Sequence, residues 1–274
     1  MILFPNAKIN IGLSVTRKRS DGFHDIETIL YPIGLCDVLE YVEAKESNTN
    51  EGTIITYSGS VTFADQDICM KVLGLLKKMF NIPPLRMHLL KNIPVGAGLG
   101  GGSSDAAFLL KSLNESFALK LSRDRLEELA DHLGSDCPFF IRNNPCYVSG
   151  KGNRLQEISL SLEGYWLFLV YPGFHINTKD AYQAVTPSYM PGKLKDLIDQ
   201  PPDYWKNIIK NQFEDSMFRK YPLLQEIKEK LYEMGAVYAS MSGSGSGMYG
   251  IFNSEVKIPS KFNSFFTYKE FLKI

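Results

Sequence analysis

The chain has 274 residues, room for one large domain or two modest ones. Its 44% hydrophobic and 22% charged residues describe an ordinary globular protein, and a formal net charge of zero leaves no global field to draw nucleic acid or an anionic membrane, so any anion site must be local. No apolar run approaches the roughly 18 residues that span a bilayer, and Cys36, Cys69, Cys137 and Cys146, with no C-x-x-C spacing, argue against zinc and for reduced thiols in a cytoplasmic protein.

The opening Met1-Ile-Leu-Phe-Pro-Asn-Ala-Lys8 has no basic stretch before its apolar part and breaks at Pro5, unlike a signal peptide. From Ala7 to Val15 apolar and polar residues alternate, a strand with Ala7, Ile9, Ile11, Leu13 and Val15 on one face and Lys8, Asn10, Gly12 and Ser14 on the other. A solvated polar face is the expected fate of Lys8 and Asn10 unless that face turns toward the glycine loop described below. Ser20-Asp-Gly22 marks a turn. Phe23 and His24 follow it at the start of a strand over 26–33, where a lone His reads first as a surface or capping residue.

Asp37 to Glu43 and Thr53 to Tyr57 read as strands joined by a polar hairpin loop over 44–52. Asp67 to Phe80 reads as an amphipathic helix with Ile68, Val72, Leu75, Leu76 and Met79 near one face, ended by Asn81-Ile-Pro-Pro84. Leu85 to Leu90 alternates like a strand and runs into Pro94-Val-Gly-Ala-Gly-Leu-Gly-Gly-Gly-Ser-Ser104. An apolar segment follows that reads as a helix with a Ser or Asp cap. Strand, glycine loop and helix N-terminus in that order suit phosphate. Without Cβ atoms the backbone N–H groups can approach an anion closely, and the helix adds free N–H groups and partial positive charge. A structural turn is the alternative. No Gly-Lys-Ser/Thr closes the loop as in a Walker motif, and Ser103 stands at the last position of a dinucleotide-binding G-x-G-x-x-G.

Ser122 caps a helix that Gly134 stops. Asp136 in Gly134-Ser-Asp-Cys-Pro138 reads as a turn or capping residue in preference to a functional acid. Cys146 to Arg154 reads as one strand, with a domain boundary near Gly152; Tyr165 to Tyr171 reads as a buried central strand. Thr178 is expected to cap a short helix carrying Tyr182. The stretch from Pro187 to Pro202 looks exposed, and Glu214 to Met234 reads as helix interrupted at Pro222. Met241-Ser-Gly-Ser-Gly-Ser-Gly-Met248, between two strand-like runs, reads as a tight loop pressed against another backbone or a phosphate, with a Gly/Ser linker as the alternative. The tail after Asn253 carries no clear pattern.

Several separate stretches then match one pattern. Pro94-x-x-x-Gly-Leu-Gly-Gly-Gly-Ser-Ser104 resembles the phosphate-binding loop of the GHMP small-molecule kinases, Ala7-Lys-Ile-Asn-x-Gly-Leu13 their first motif, and Ser242-Gly-Ser-Gly-Ser-Gly247 their third. The resemblance implies an α+β (α/β two-layer) fold, with an N-terminal ribosomal protein S5 domain 2-like domain over 1–152 and a C-terminal ferredoxin-like GHMP kinase domain over 153–274. Within the superfamily, Lys8-x-Asn10, Asp21-Gly-Phe-His24 and Gly134-Ser-Asp-Cys-Pro138 resemble a branch that phosphorylates a cytidyl-bearing alcohol with ATP.

On that resemblance Asp136 would take the proton of the acceptor hydroxyl, and Lys8 would hold Asp136 ionised and orient the hydroxyl. Asn10 would contact the substrate. His24 would bond the cytosine edge, with Phe23 and Tyr182 stacking on the ring and Thr178 nearby. The ATP phosphates would lie along Pro94, Val95, Gly96, Ala97, Gly98, Leu99, Gly100, Gly101, Gly102, Ser103 and Ser104. Mg²⁺ would accompany ATP without a dedicated protein cage of metal ligands. Phe23 stands where the family pattern has Tyr, which keeps a stacking face and loses a phenolic hydrogen bond. The implied partners are ATP and a small molecule, not nucleic acid or membrane. A GHMP kinase for mevalonate, homoserine or a sugar is the alternative, as is a regulator that binds nucleotide without chemistry.

Overall fold

The computed structural model describes residues 1–44, 53–59, 68–188 and 193–273. Strand β1 (Ile2–Leu3) precedes the long strands β2 (Asn6–Lys18) and β3 (His24–Cys36), then β4 (Val38–Glu43) and β5 (Ile54–Gly59). Helix α1 (Ile68–Lys77) leads to β6 (Leu85–Lys91), and α2 (Gly101–Ser116), α3 (Arg123–Asp131) and α4 (Cys137–Arg142) follow. The chain continues with β7 (Cys146–Ser149), β8 (Arg154–Glu157), β9 (Trp166–Tyr171), α5 (Thr178–Gln183) and α6 (Lys193–Leu197). It closes with a 3₁₀ turn (Pro202–Asn207), α7 (Glu214–Lys220), α8 (Pro222–Glu233), β10 (Tyr238–Met241), β11 (Met248–Phe252) and β12 (Phe266–Phe271). These elements form two compact units that interleave along the chain. The first is Met1–Ala7, Gly34–Val95 and Gly100–Asn143; the second is Lys8–Ile33, Gly96–Leu99 and Asn144–Ile274.

The first unit holds a sheet in the order β1-β4-β6-β5. Strand β6 pairs antiparallel with β4 and parallel with β5. The expected β4–β5 hairpin is therefore corrected: β6 lies between the two strands, and α1 belongs to the crossover that a parallel β5–β6 pair requires. Residues 45–52 of the expected loop lie outside the described residues, as does Asp67. Along β6, Leu85, Met87, Leu89 and Lys91 are buried, the period of two read from the sequence. The buried stripe of α1 is Cys69, Val72, Leu73 and Leu76. This shifts the expected face, because the helix ends at Lys77 and Met79 beyond it is 41% exposed.

Helix α2 opens at Gly101, capped by Gly100 in a left-handed conformation (φ 73°) with no side-chain bond. The expected Ser or Asp cap is corrected. Ser104 N–H already donates to Gly100 O at 2.9 Å, so Ser103, Ser104 and Asp105 lie inside the first turns. Helix α3 is capped by Ser122, as expected, through Arg125 N–H.

Where β6 ends, the buried Lys91 ammonium is paired with Asp37 and, at 2.6 Å, with Asp105 Oδ2. Asp37 Oδ1 accepts from Asn92 N–H (2.7 Å) and Ile93 N–H (2.8 Å), but Asp105 Oδ1 has no partner. Two carboxylates share one ammonium. Burial, reinforced by the Asp37 charge and opposed by Lys91, pushes the Asp105 carboxyl up to about 8. A folded pKa above the unfolded one means the native state holds a proton that the unfolded chain releases, so this contribution to stability is full at low pH and drains as pH rises from about 4 to about 8. Asp105→Asn should flatten that decline. Urea midpoints of both proteins across this range test it, and parallel pH profiles would refute it.

The second unit holds two sheets, β2-β3-β7-β8 and β10-β11-β9-β12. The single strand expected over 146–154 is a hairpin, with Ser149 opposite Arg154. Gly150 (φ 67°) and Gly152 (φ 96°) reverse the chain in conformations that L side chains rarely adopt. Strand β9 is interior, between β11 and β12, as its apolar run predicts. Helix α5 is capped by Asn177, which accepts from Lys179 N–H, and not by Thr178, the first helical residue. The expected exposed stretch before Pro202 contains α6, with Leu194 and Ile198 buried; residues 189–192 of it lie outside the described residues. Pro222 begins α8, where its missing N–H costs nothing. A single core joins Leu13 and Val15 to Phe168 and Val170 of β9, Phe213 and Met217 near α7, and Leu224, Ile227 and Leu231 of α8. The tail contributes β12.

Candidate active site

In the second unit the polar side of β2 is buried. Lys8 is 3% exposed and Asn10 4%, so the expected solvated face is corrected. Lys8 Nζ donates to Asn10 Oδ1 at 2.6 Å and to Gly98 O at 2.9 Å, and Lys8 N–H donates to Leu99 O at 3.0 Å. Asn10 Nδ2 donates to Thr28 Oγ1 of β3 at 3.0 Å. Ser242 Oγ accepts from Asn10 N–H at 3.2 Å and donates to Gly98 O at 2.9 Å. Tyr249 hydroxyl donates to Asn10 O at 2.8 Å. The first motif, residues 96–99 of the glycine loop and the Gly/Ser loop thus meet at one cluster of side chains.

Glycine is required where the loops touch. Gly98 has φ 76°, and a Cβ there would overlap the Ser242 carbonyl oxygen. A Cβ on Gly247 would run into Ala97 O, which accepts from Gly247 N–H at 3.0 Å. The Gly/Ser run is therefore a loop pressed against another backbone and not a linker. His175 Nδ1 lies 3.2 Å from Gly96 O on the outer side of the same turn.

The same unit gathers the aromatic candidates. His24 and Tyr182 stack with centroids 4.9 Å apart and planes at 18°, and Tyr182 meets the buried Phe213 edge-on at 5.0 Å. Phe23 is 60% exposed, with the Lys151 ammonium 5.3 Å from its ring centre. The turn before them is tied by Arg19 to Asp21 and Asp25, whose carboxyls its guanidinium holds below the usual range. Thr178 Oγ1 lies 3.2 Å from Ser244 Oγ of the Gly/Ser loop.

The first unit holds the rest. Pro94 and Val95 lead out of β6, and Gly100 to Ser104 wind into the N-terminus of α2, where free N–H groups and the helix dipole favour an anion. Ser104 Oγ is buried without a partner, and the Cys137 thiol, hydrogen-bonded to Ser103, is pushed up to about 12 by burial. Asp136 occupies the cap position of α4, but its side chain makes no capping hydrogen bond, which corrects the capping expectation. Pro138 at the second helical position offers no N–H to accept from, one physical reason why. Among the described residues no group of three or more His, Cys, Asp or Glu converges to hold a metal ion.

Several residues of this constellation escaped the sequence: Thr28, Tyr249 and His175.

Residues 67–144 match the family model for the GHMP kinases N terminal domain, and residues 194–266 match that for the GHMP kinases C terminal. The 4-diphosphocytidyl-2-C-methyl-D-erythritol kinase of Bacteroides fragilis is 47% identical over 260 residues, covering 94% of each chain. Its counterpart from Azobacteroides pseudotrichonymphae is 49% identical over 264 residues, 96% of this chain and 97% of its own. The chain belongs to the 4-diphosphocytidyl-2-C-methyl-D-erythritol kinase family of the GHMP kinases. A crystal structure of 4-(cytidine 5'-diphospho)-2C-methyl-D-erythritol kinase superposes with a TM-score of 0.77 at 29% identity, over 92% of this chain and 90% of that one. The mixed helix and sheet of this GHMP kinase accord with that fold.

The glycine contact in this kinase is open to a direct test. Gly98→Ala adds a Cβ in a left-handed backbone, a cost of about 1–2 kcal/mol, plus the overlap with Ser242. A lowered urea midpoint and loss of ATP turnover are the expected outcome. Retention of both would show that the two loops part freely.

Proposed function

We propose that this chain transfers the γ-phosphoryl group of ATP to the 2-hydroxyl of 4-diphosphocytidyl-2-C-methyl-D-erythritol, within the non-mevalonate route to isoprenoid precursors. The observation that carries this reading is identity near one half, over almost the whole length, to kinases of that name. The convergence of Lys8, Asn10, Gly98 and Ser242 supports it chemically.

In this reading Asp136 accepts the hydroxyl proton as the substrate oxygen bonds to the γ-phosphorus. The bond from that phosphorus to the β,γ-bridging oxygen breaks, and ADP leaves. Phosphoryl transfer needs positioning and charge stabilisation above all. The glycine loop over 94–104 and the N-terminus of α2 supply backbone N–H groups to the phosphates, a fixed electrostatic cradle. Lys8 steadies the acceptor hydroxyl. Asn10 contacts the substrate, Phe23, His24 and Tyr182 read its pyrimidine, and Thr178 lies beside them. The side-chain set suits a Mg²⁺ ion held by the nucleotide phosphates and water, which the phosphate-binding loop grips only through ATP. Bound with ATP, that ion would supply charge neutralisation at the phosphates.

The two family matches fall on either side of Gly152, which supports assigning ATP binding to 1–152 and the second kinase domain to 153–274. We place the protein in the cytoplasm, acting on small molecules and not on nucleic acid or membrane. None of its four cysteines, all among the described residues, forms a disulfide, and among the described residues no helix is long and apolar enough to cross a membrane.

ADP release with Mg-ATP over a panel of alcohols tests the substrate. Turnover is expected with the cytidyl methylerythritol and not with mevalonate, homoserine or galactose. Turnover with one of the others would refute the roles of Phe23 and His24, and silence throughout would favour a regulator. Asp136→Asn should lower kcat by about 10²–10⁴-fold, the usual worth of a general base. Wild-type turnover in that variant would place the base elsewhere.

A further inference from the structure

The Gly/Ser loop has a fixed support that no family motif above includes. Asn211 is 2% exposed. Its Nδ2 donates to Met241 O and to Gly243 O, both at 2.8 Å, while its Oδ1 accepts from Phe213 N–H at 3.0 Å. One amide group thus grips the carbonyls on either side of Ser242. Glu214 holds the preceding stretch: its Oε1 accepts from Met241 N–H at 2.9 Å and from Ser240 Oγ at 3.3 Å, and its Oε2 from Lys228 Nζ at 2.5 Å. The segment that carries Asn211 is itself pinned to β2, through Leu13 N–H to Lys210 O (3.0 Å) and Gln212 N–H to Leu13 O (2.8 Å).

What this support holds in place is Ser242, whose Oγ takes the Asn10 N–H and gives its proton to Gly98 O, the carbonyl that also accepts from Lys8 Nζ. We infer that Asn211 is a positioning residue for phosphoryl transfer, acting through Ser242 to fix the Gly98 carbonyl and so the Lys8 ammonium. The inference rests on the kinase reading above. Only an amide meets the requirement at 211. A carboxylate there would turn an oxygen toward two carbonyl oxygens, and an alanine would leave both without their donor.

The test is a double-mutant cycle in the full chain: wild type, Asn211→Asp, Ser242→Ala and the double variant, assayed with Mg-ATP and the cytidyl methylerythritol. Each single change should lower kcat about 10- to 100-fold, the scale of a small misplacement at a reacting centre, with substrate KM within about twofold. The double variant should be no slower than the slower single, because both changes break one chain of contacts. Multiplying effects, an unchanged kcat in Asn211→Asp, or a change confined to KM would overturn the inference. Should Asn211→Asp fail to fold, Asn211→Ser, which keeps one donor, carries the same cycle with the same criteria. Wild-type protein inactive on this substrate would instead strike the functional reading itself, so the two failures are distinguishable.

Discussion

A lysine ammonium in a nearly closed site must be surrounded by acceptors, because a buried unpaired charge costs several kcal/mol. Lys8 imposes that demand on the second unit, and much of its architecture answers it. Gly98 has to turn its carbonyl inward, which takes a left-handed backbone and excludes a Cβ. Asn10 has to offer Oδ1 to the lysine, and its other amide atom is settled by Thr28. Ser242 has to join both, which draws the Gly/Ser loop down onto residues 96–99 of the glycine loop. The glycines in these two loops are thus consequences of a charge on a neighbouring strand as well as of any anion they bind.

The first unit meets the same demand differently. Lys91 is matched by two carboxylates, and Asp105, inside the first turns of α2, relieves the surplus of negative charge by holding its proton up to about pH 8. The helix that follows the glycine loop is tethered at its start by this pairing to the end of β6. The tether lies just behind residues proposed to meet the phosphates, and it is buried, so salt screens it little.

What the sequence revealed was local. The alternation of β2, the glycine loop and its helix, the Ser122 cap and the break at Pro222 each depend on a few adjacent residues, and each was legible. The two-faced burial of β2 was not, because the partners of Lys8 and Asn10 lie 90 and 232 residues away. The His24–Tyr182 stack was legible only as two separate aromatic candidates. Misreadings followed from local ambiguity. Gly150 and Gly152 look like strand ends or a boundary until the register shows a hairpin. Ser103, Ser104 and Asp105 look like caps until Gly100 is seen to do that work. Asn177, one residue earlier than Thr178, had the better geometry for its helix.

The separation between Asn10 and Ser242 also bears on how the chain is made. A ribosome adds about 5–20 residues per second, so the 232 residues between them take roughly 12 to 46 s to emerge. Throughout that interval β2 lacks the groups that close over its backbone, Ser242 and Tyr249. Half-finished chains therefore expose a strand whose Asn10 N–H and carbonyl lack their native partners and whose opposite face is apolar, a natural client for a holding chaperone. Asn10, beside the proposed catalytic lysine, is among the last residues to gain its native backbone partners.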